Sequence, residues 1–133
     1  MKALMLLLIP LLVPNFVLAK PQAIEVVRVR VGSEVKTSKS GLAIRFVELI
    51  EDSRCPKGTN CVWAGEGRIK ISVRAEGRKV QTFELATTEG KNKIAFDGYE
   101  LRFVELAPRP AANIRIDRTK YTATFEVGKS NQS

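Results

Sequence analysis

Two carboxylates and two thiols are the side chains of this sequence whose types and spacing could do chemistry. Glu48 and Glu105 hold matching places in two similar strings, and strict alternation puts Glu48 on one face with Leu42, Ile44 and Phe46. Two inward carboxylates could supply the acid and base of glycoside hydrolysis. The plainer expectation places each at a strand end or past a bulge, solvated or paired with arginine. Cys55 and Cys61 enclose five residues that include Pro56 and Gly58. Pro56 presets a turn, while Gly58 and Asn60 tolerate left-handed backbone, so the chain can double back and bring the two Cα atoms within bridging range. An intramolecular disulfide is expected, worth roughly 2–2.5 kcal/mol on the loop-entropy model. A redox couple is the alternative, but the spacing is not Cys-x-x-Cys and no catalytic neighbour stands nearby. The sequence has no histidine, which removes His-based triads, His-ligated zinc and imidazole switching. No metal or cofactor is expected, and binding is expected in place of catalysis.

The residues around the cysteines have structural roles to fill. Trp63 lies two residues past Cys61, so on an extended segment it shares that cysteine's face and is expected to plug the end of the core, ligand stacking being the alternative. Asp52 is expected to cap a turn, and the Arg54 fork to tie loop carbonyls or a carboxylate such as Glu66. Arg54 and Lys57 are the two loop charges open to a binding role. Lys57 between Pro56 and Gly58 could also be presented by the closed loop to a trypsin-like protease as an inhibitor. Arg28 and Arg30, with Arg68, Lys70 and Arg74, could form a cationic sheet face for an anionic glycan, a lipid head group or an exported protein. Aromatic residues are not interleaved with these charges, so nucleic acid is not the expected partner.

The run from Asp52 to Gly65 has the pattern D-S-R-C-P-x-G-x-x-C-x-W-A-G, with Asp52, Arg54, Cys55, Pro56, Gly58, Cys61, Trp63 and Gly65 at fixed positions. It resembles the signature of a group of small secreted bacterial proteins of unknown function. The likeness extends more loosely to a strand over 41–51, to Pro108-Arg109-Pro110 and to a closing strand over 121–127. The resemblance implies export and a β-rich domain, and implies no activity.

The elements that must position these residues begin after the N-terminal segment. Met1 to Ala19 reads as a signal peptide, with Lys2 as the charged region, an apolar run broken by Pro10 and Pro14, and Val17-Leu18-Ala19 before the cut. The run is too short and too interrupted to span a bilayer. Residues 20–133 then form one domain, secreted or periplasmic, that carries a net charge of +7 without a transmembrane segment. Period-two alternation recurs over 24–31, 68–74 and 121–127, with further candidates at 79–87 and 91–96, and turn signals such as Asp97-Gly98 lie between. About eight short strands in a sandwich or small barrel are expected, with one disulfide. The string Gly41 to Leu49 is echoed by Gly98 to Leu106 at an offset of 57 residues. That echo suggests two four-strand halves, each with a central strand apolar on both faces.

Overall fold

The computed structural model describes residues 10–18 and 21–131. Part of the expected signal peptide lies outside these residues. Within 10–18 there is no regular structure, and Leu11, Leu12, Val13, Phe16, Val17 and Leu18 are 74–92% exposed, packed against nothing. No helix among the described residues is long and apolar enough to cross a membrane.

Alternation of apolar and charged residues produces β1 (Glu25–Arg30), β4 (Gly67–Arg74) and β8 (Thr122–Lys129), whose inward side chains are Val27 and Val29, then Ile69, Ile71 and Val73, then Ala123, Phe125 and Val127. Between them lie β2 (Glu34–Lys36), β3 (Ala43–Asp52), β5 (Gln81–Ala86), β6 (Lys93–Phe96) and β7 (Tyr99–Ala107). The strands form two antiparallel four-stranded sheets, ordered β2-β3-β4-β5 and β6-β7-β8-β1, which share one core and do not close into a barrel. Phe46, Phe103 and Phe125 are its largest fully buried side chains, and the Phe103 and Phe125 rings lie 5.6 Å apart.

The two halves of the sequence correspond strand for strand, β1–β4 with β5–β8. The correspondence holds at the level of register. Phe46 pairs with Ile71 and Ile71 with Phe83; Phe103 pairs with Phe125 and Phe125 with Val27. Each half nevertheless places its first strand in the other half's sheet, since β1 pairs with β8 and β5 with β4. The halves are therefore interlocked, and neither sheet can form from one half alone.

The echoed strands also share a defect. Register slips between Phe46 and Glu48 in β3 and between Phe103 and Glu105 in β7, leaving Val47 and Val104 as the extra residues. This bulge overrides strict alternation and turns both glutamates outward. The expectation of apolar character on both faces is also corrected: Arg45, Val47, Arg102 and Val104 face solvent, because nothing covers the outer faces. Truncating Phe46 or Phe103 to Ala is expected to cost about 3–5 kcal/mol in chemical denaturation. Glu48→Ala and Glu105→Ala are expected to change stability by less than about 1 kcal/mol. Equal losses from both pairs of substitutions would place the glutamates inside and contradict the bulges.

Candidate functional site

The two long connections of the fold, 53–66 between β3 and β4 and 108–121 between β7 and β8, have equal lengths and leave the sandwich at the same end. Sheet hydrogen bonds stop there, so side chains must hold the end together. Asp52, with its side chain 7% exposed, accepts from Arg54 Nε at 2.8 Å and Arg54 Nη2 at 2.9 Å, and from the Tyr121 hydroxyl at 2.8 Å. Arg54 also donates to the carbonyls of Leu106 at 2.6 Å and Pro108 at 2.9 Å. Arg118, from the second connection, donates to the carbonyl of Leu49. Leu49 and Leu106 are equivalent positions in the echo, so each half sends an arginine to the same carbonyl of the other.

Burial alone would raise the Asp52 carboxyl, but the hydrogen bonds from Arg54 and Tyr121 and the Arg54 charge outweigh it and hold the group below its ordinary value. Tyr121 is pushed up to about 12, first by burial and then by its bond to the Asp52 carboxylate. The Arg54 fork thus ties loop carbonyls as expected, but its carboxylate partner is Asp52, two residues away. Glu66 instead accepts from Thr88 Oγ1 at 2.7 Å and lies 3.8 Å from Lys91 Nζ. With four of its N–H groups engaged, Arg54 is committed to the fold.

Cys55 and Cys61 form the disulfide, with Cα atoms 5.9 Å apart. The closed loop is zipped to the second connection by a bond of 2.9 Å from the Lys57 amide to the Pro110 carbonyl and by a bridge between Lys57 and Ala111. That amide is therefore not free to pair with the backbone of a protease. Gly65 is demanded by space: a Cβ there would stand 1.6 Å from the Ser53 carbonyl oxygen. Trp63 corrects an expectation. It is 75% exposed, and Val62 beside it is 94% exposed. Residues 53–66 are not a strand, so a spacing of two does not set a shared inward face, and the core is already closed by Leu49, Leu106 and Tyr121.

The basic rows do not make one surface. Arg28 and Arg30 lie on the outer face of the β1 sheet, while Arg68, Lys70 and Arg74 lie on the opposite outer face. The second row is matched by carboxylates: Arg68 with Glu51 and Glu84, Lys70 with Glu48, Arg74 with Glu34, at 3.0–3.6 Å. Glu48 is held in that pair on one sheet, Glu105 is exposed on the other, and the two cannot converge on one substrate.

The chain matches no family model, no curated protein and no solved structure. The reading of its surface therefore rests on its own charges. The two connections carry Arg54, Lys57, Arg109, Arg115, Arg118 and Lys120 against Glu66 and Asp117. Glu66 is engaged by Thr88 and Lys91, and Asp117 by the amide and hydroxyl of Thr119. Within the two connections Lys57, Arg109, Arg115 and Lys120 are exposed with no carboxylate within 4.0 Å among the described residues, and the same holds for Arg28 and Arg30 on the β1 sheet. Arg109, Arg115, Lys120, Val62 and Ile114 are surface residues that sequence reasoning did not single out. Proximity of the two connections was the missing signal. A cleft of about 480 Å³ between Ile24, Glu100, Arg102, Glu126 and Lys129 lies towards the other end and mixes both signs of charge.

The linkage of the buried cluster has a defined sign. Asp52 is lowered in the fold, so its stabilisation is complete above the unfolded carboxyl value of about 3.9 and drains as pH falls through the lower folded value. Tyr121 is raised, so its stabilisation is complete below the unfolded value of about 10 and is lost as pH climbs through about 12. Asp52→Ala is expected to cost about 3–5 kcal/mol near neutral pH and to flatten the acid limb of stability against pH. Tyr121→Phe is expected to cost about 1.5–3 kcal/mol and to flatten the alkaline limb. Denaturation midpoints measured across pH check both, and curves parallel to the parent's would refute the assignment.

Proposed function

We propose that the protein is an exported, non-enzymatic binding module that takes anionic ligands at the loop end of its sandwich. The observation that carries this reading is the contrast in charge. The β4 row is matched by carboxylates within its own sheet, whereas Lys57, Arg109, Arg115 and Lys120 in the two joined connections have none; Arg28 and Arg30 on the β1 sheet are also exposed without a carboxylate, but stand apart from that end. Fixed positive charge on a rigid surface attracts anionic groups and raises their local concentration. Export is supported by the disulfide, which persists in oxidising compartments, by the leader-like sequence, and by the failure of residues 10–18 to pack against the domain. The motif from Asp52 to Gly65, similar to that of small secreted bacterial proteins, fits the same placement.

Heparin, a soluble polyanion, provides the direct test. The protein is expected to elute only at elevated salt, with retention falling as ionic strength rises. Replacing Lys57, Arg109 and Arg115 together with Gln is expected to abolish most of that retention. The same replacement of Arg68, Lys70 and Arg74 is expected to leave it nearly unchanged. Elution of the parent at low salt, or equal effects of the two triple substitutions, would overturn the assignment.

A further inference from the structure

The end of the molecule that carries these cations also exposes apolar side chains of its two loops. Val62 is 94% exposed, Trp63 75% and Ile114 66%. Val62 and Trp63 belong to the disulfide-closed connection and Ile114 to the other, and the bridges from Lys57 to Ala111 and from Ala111 to Ile114 join the two into one platform. Lys57, Arg109 and Arg115 stand in the same two segments.

Resting on the anionic-ligand reading above, we infer that the occupant of this platform is the surface of an anionic lipid bilayer. Val62, Trp63 and Ile114 enter the interfacial layer while Lys57, Arg109 and Arg115 lie against head-group phosphates. Charge complementarity carries the choice, together with the mixture of side chains. A soluble polyanion satisfies the cations but gives Val62 and Ile114 nothing to bury against. A glycan can stack on the indole but does not reward two aliphatic side chains on separate loops. The interface of an anionic bilayer matches all of them, because indole rings settle at head-group depth, aliphatic side chains gain by leaving water, and basic residues are drawn to the negative surface.

The geometry suits shallow attachment. The platform is closed by a disulfide and tied to the body through Arg54, Asp52 and Tyr121, so few degrees of freedom are lost when it docks. Deeper burial would strip water from the ion pair of Arg68 and Glu51 near the ends of β4 and β3. The contact is therefore confined to the tips.

Trp63 is the only tryptophan of the chain, so its fluorescence reports this platform and not the apolar N-terminal segment. The full chain is titrated with vesicles of equal phosphatidylglycerol and phosphatidylcholine, with phosphatidylcholine vesicles alone, and with heparin. With the anionic vesicles the emission is expected to shift to the blue, to become protected from an aqueous quencher, and to be quenched by brominated acyl chains. Neutral vesicles are expected to give much weaker changes. Val62→Ala and Ile114→Ala are each expected to weaken partitioning about ten-fold, through loss of buried methyl groups. Lys57→Gln, Arg109→Gln and Arg115→Gln are expected to weaken it about five-fold each. All five positions are exposed, and an intact disulfide with an unchanged melting curve confirms the fold of each variant.

Retention on heparin without a vesicle response in Trp63 would overturn the bilayer inference and leave the anionic-ligand reading standing. Silence towards both would overturn both. A Trp63 shift with heparin but not with vesicles would assign the platform to a glycan. A shift that depends on protein concentration alone would assign it to a second copy of the chain. A vesicle response that survives all five substitutions would place the contact elsewhere and also reject the inference.

Discussion

A carboxylate with 7% exposure holds this molecule together at the end where its sheets stop doing so. Asp52 ends β3, accepts the Arg54 fork and the Tyr121 hydroxyl, and so joins the first connection to the entrance of β8. Taking a carboxylate out of water is costly unless its partners are fixed and its lone pairs are occupied. Both conditions are met, because Arg54 is itself pinned by the carbonyls of Leu106 and Pro108. Arg118 answers from the other half by reaching the carbonyl of Leu49. Two long connections that meet in a bridge between Lys57 and Ala111 are thereby further fixed by charge-assisted bonds to backbone, which are stronger than neutral ones.

The reciprocal arginines follow from the interlocked halves, but the symmetry breaks where it must. Register makes Gly67 the counterpart of Tyr121, since Ile69 and Ala123 occupy equivalent paired positions. Both cannot be tyrosine. A Cβ at residue 67 would come within 2.6 Å of Leu106 Cδ2, so the leucine of one half fills the space left by the glycine of the other. Tyr121 in turn fills the space on its own side and carries the hydroxyl that Asp52 needs. The connection after β3 acquires a disulfide, whereas the connection after β7 is anchored by the half-buried Ile116 and by Arg118.

Much of the fold was legible because alternation is a direct consequence of strand geometry. The inward rows Val27 and Val29, Ile69 to Val73 and Ala123 to Val127 stand where period two puts them. The echo at an offset of 57 residues carried more information than its composition suggested, since it encodes the shared bulge at Val47 and Val104. The bulge itself leaves no mark in period two, so strict alternation alone would turn Glu48 inward; the plainer expectation of a glutamate past a bulge, solvated or paired, is the one the structure bears out, with Lys70 in place of an arginine as the partner. β2 escaped notice because three residues are too few to show a period. Trp63 was misplaced for a different reason. Counting by twos was carried from a strand into a segment that is not one, and a disulfide nearby does not make a core. Arg54 was read correctly as a pin, but its carboxylate partner sits two residues away in sequence, a proximity that only the turn after β3 creates.

Whether an exposed tryptophan is an accident of a loose loop or a feature the fold maintains depends on what constrains its neighbours. A loose loop would let the indole fold back onto apolar surface, which is the cheaper place for it in water. Here the backbone on both sides is held. Cys61 is bridged to Cys55, Lys57 is bonded to Pro110, and Gly65 sits so close to Ser53 that no side chain fits between them. Arg54 and Tyr121 are committed to the Leu106 carbonyl and to Asp52, and Leu106 closes the core against Gly67. Between these fixed points the indole stays on the surface, 75% exposed. Its exposure is a consequence of the same contacts that stabilise the end of the sandwich, so loosening those contacts is what would allow Trp63 to collapse inward.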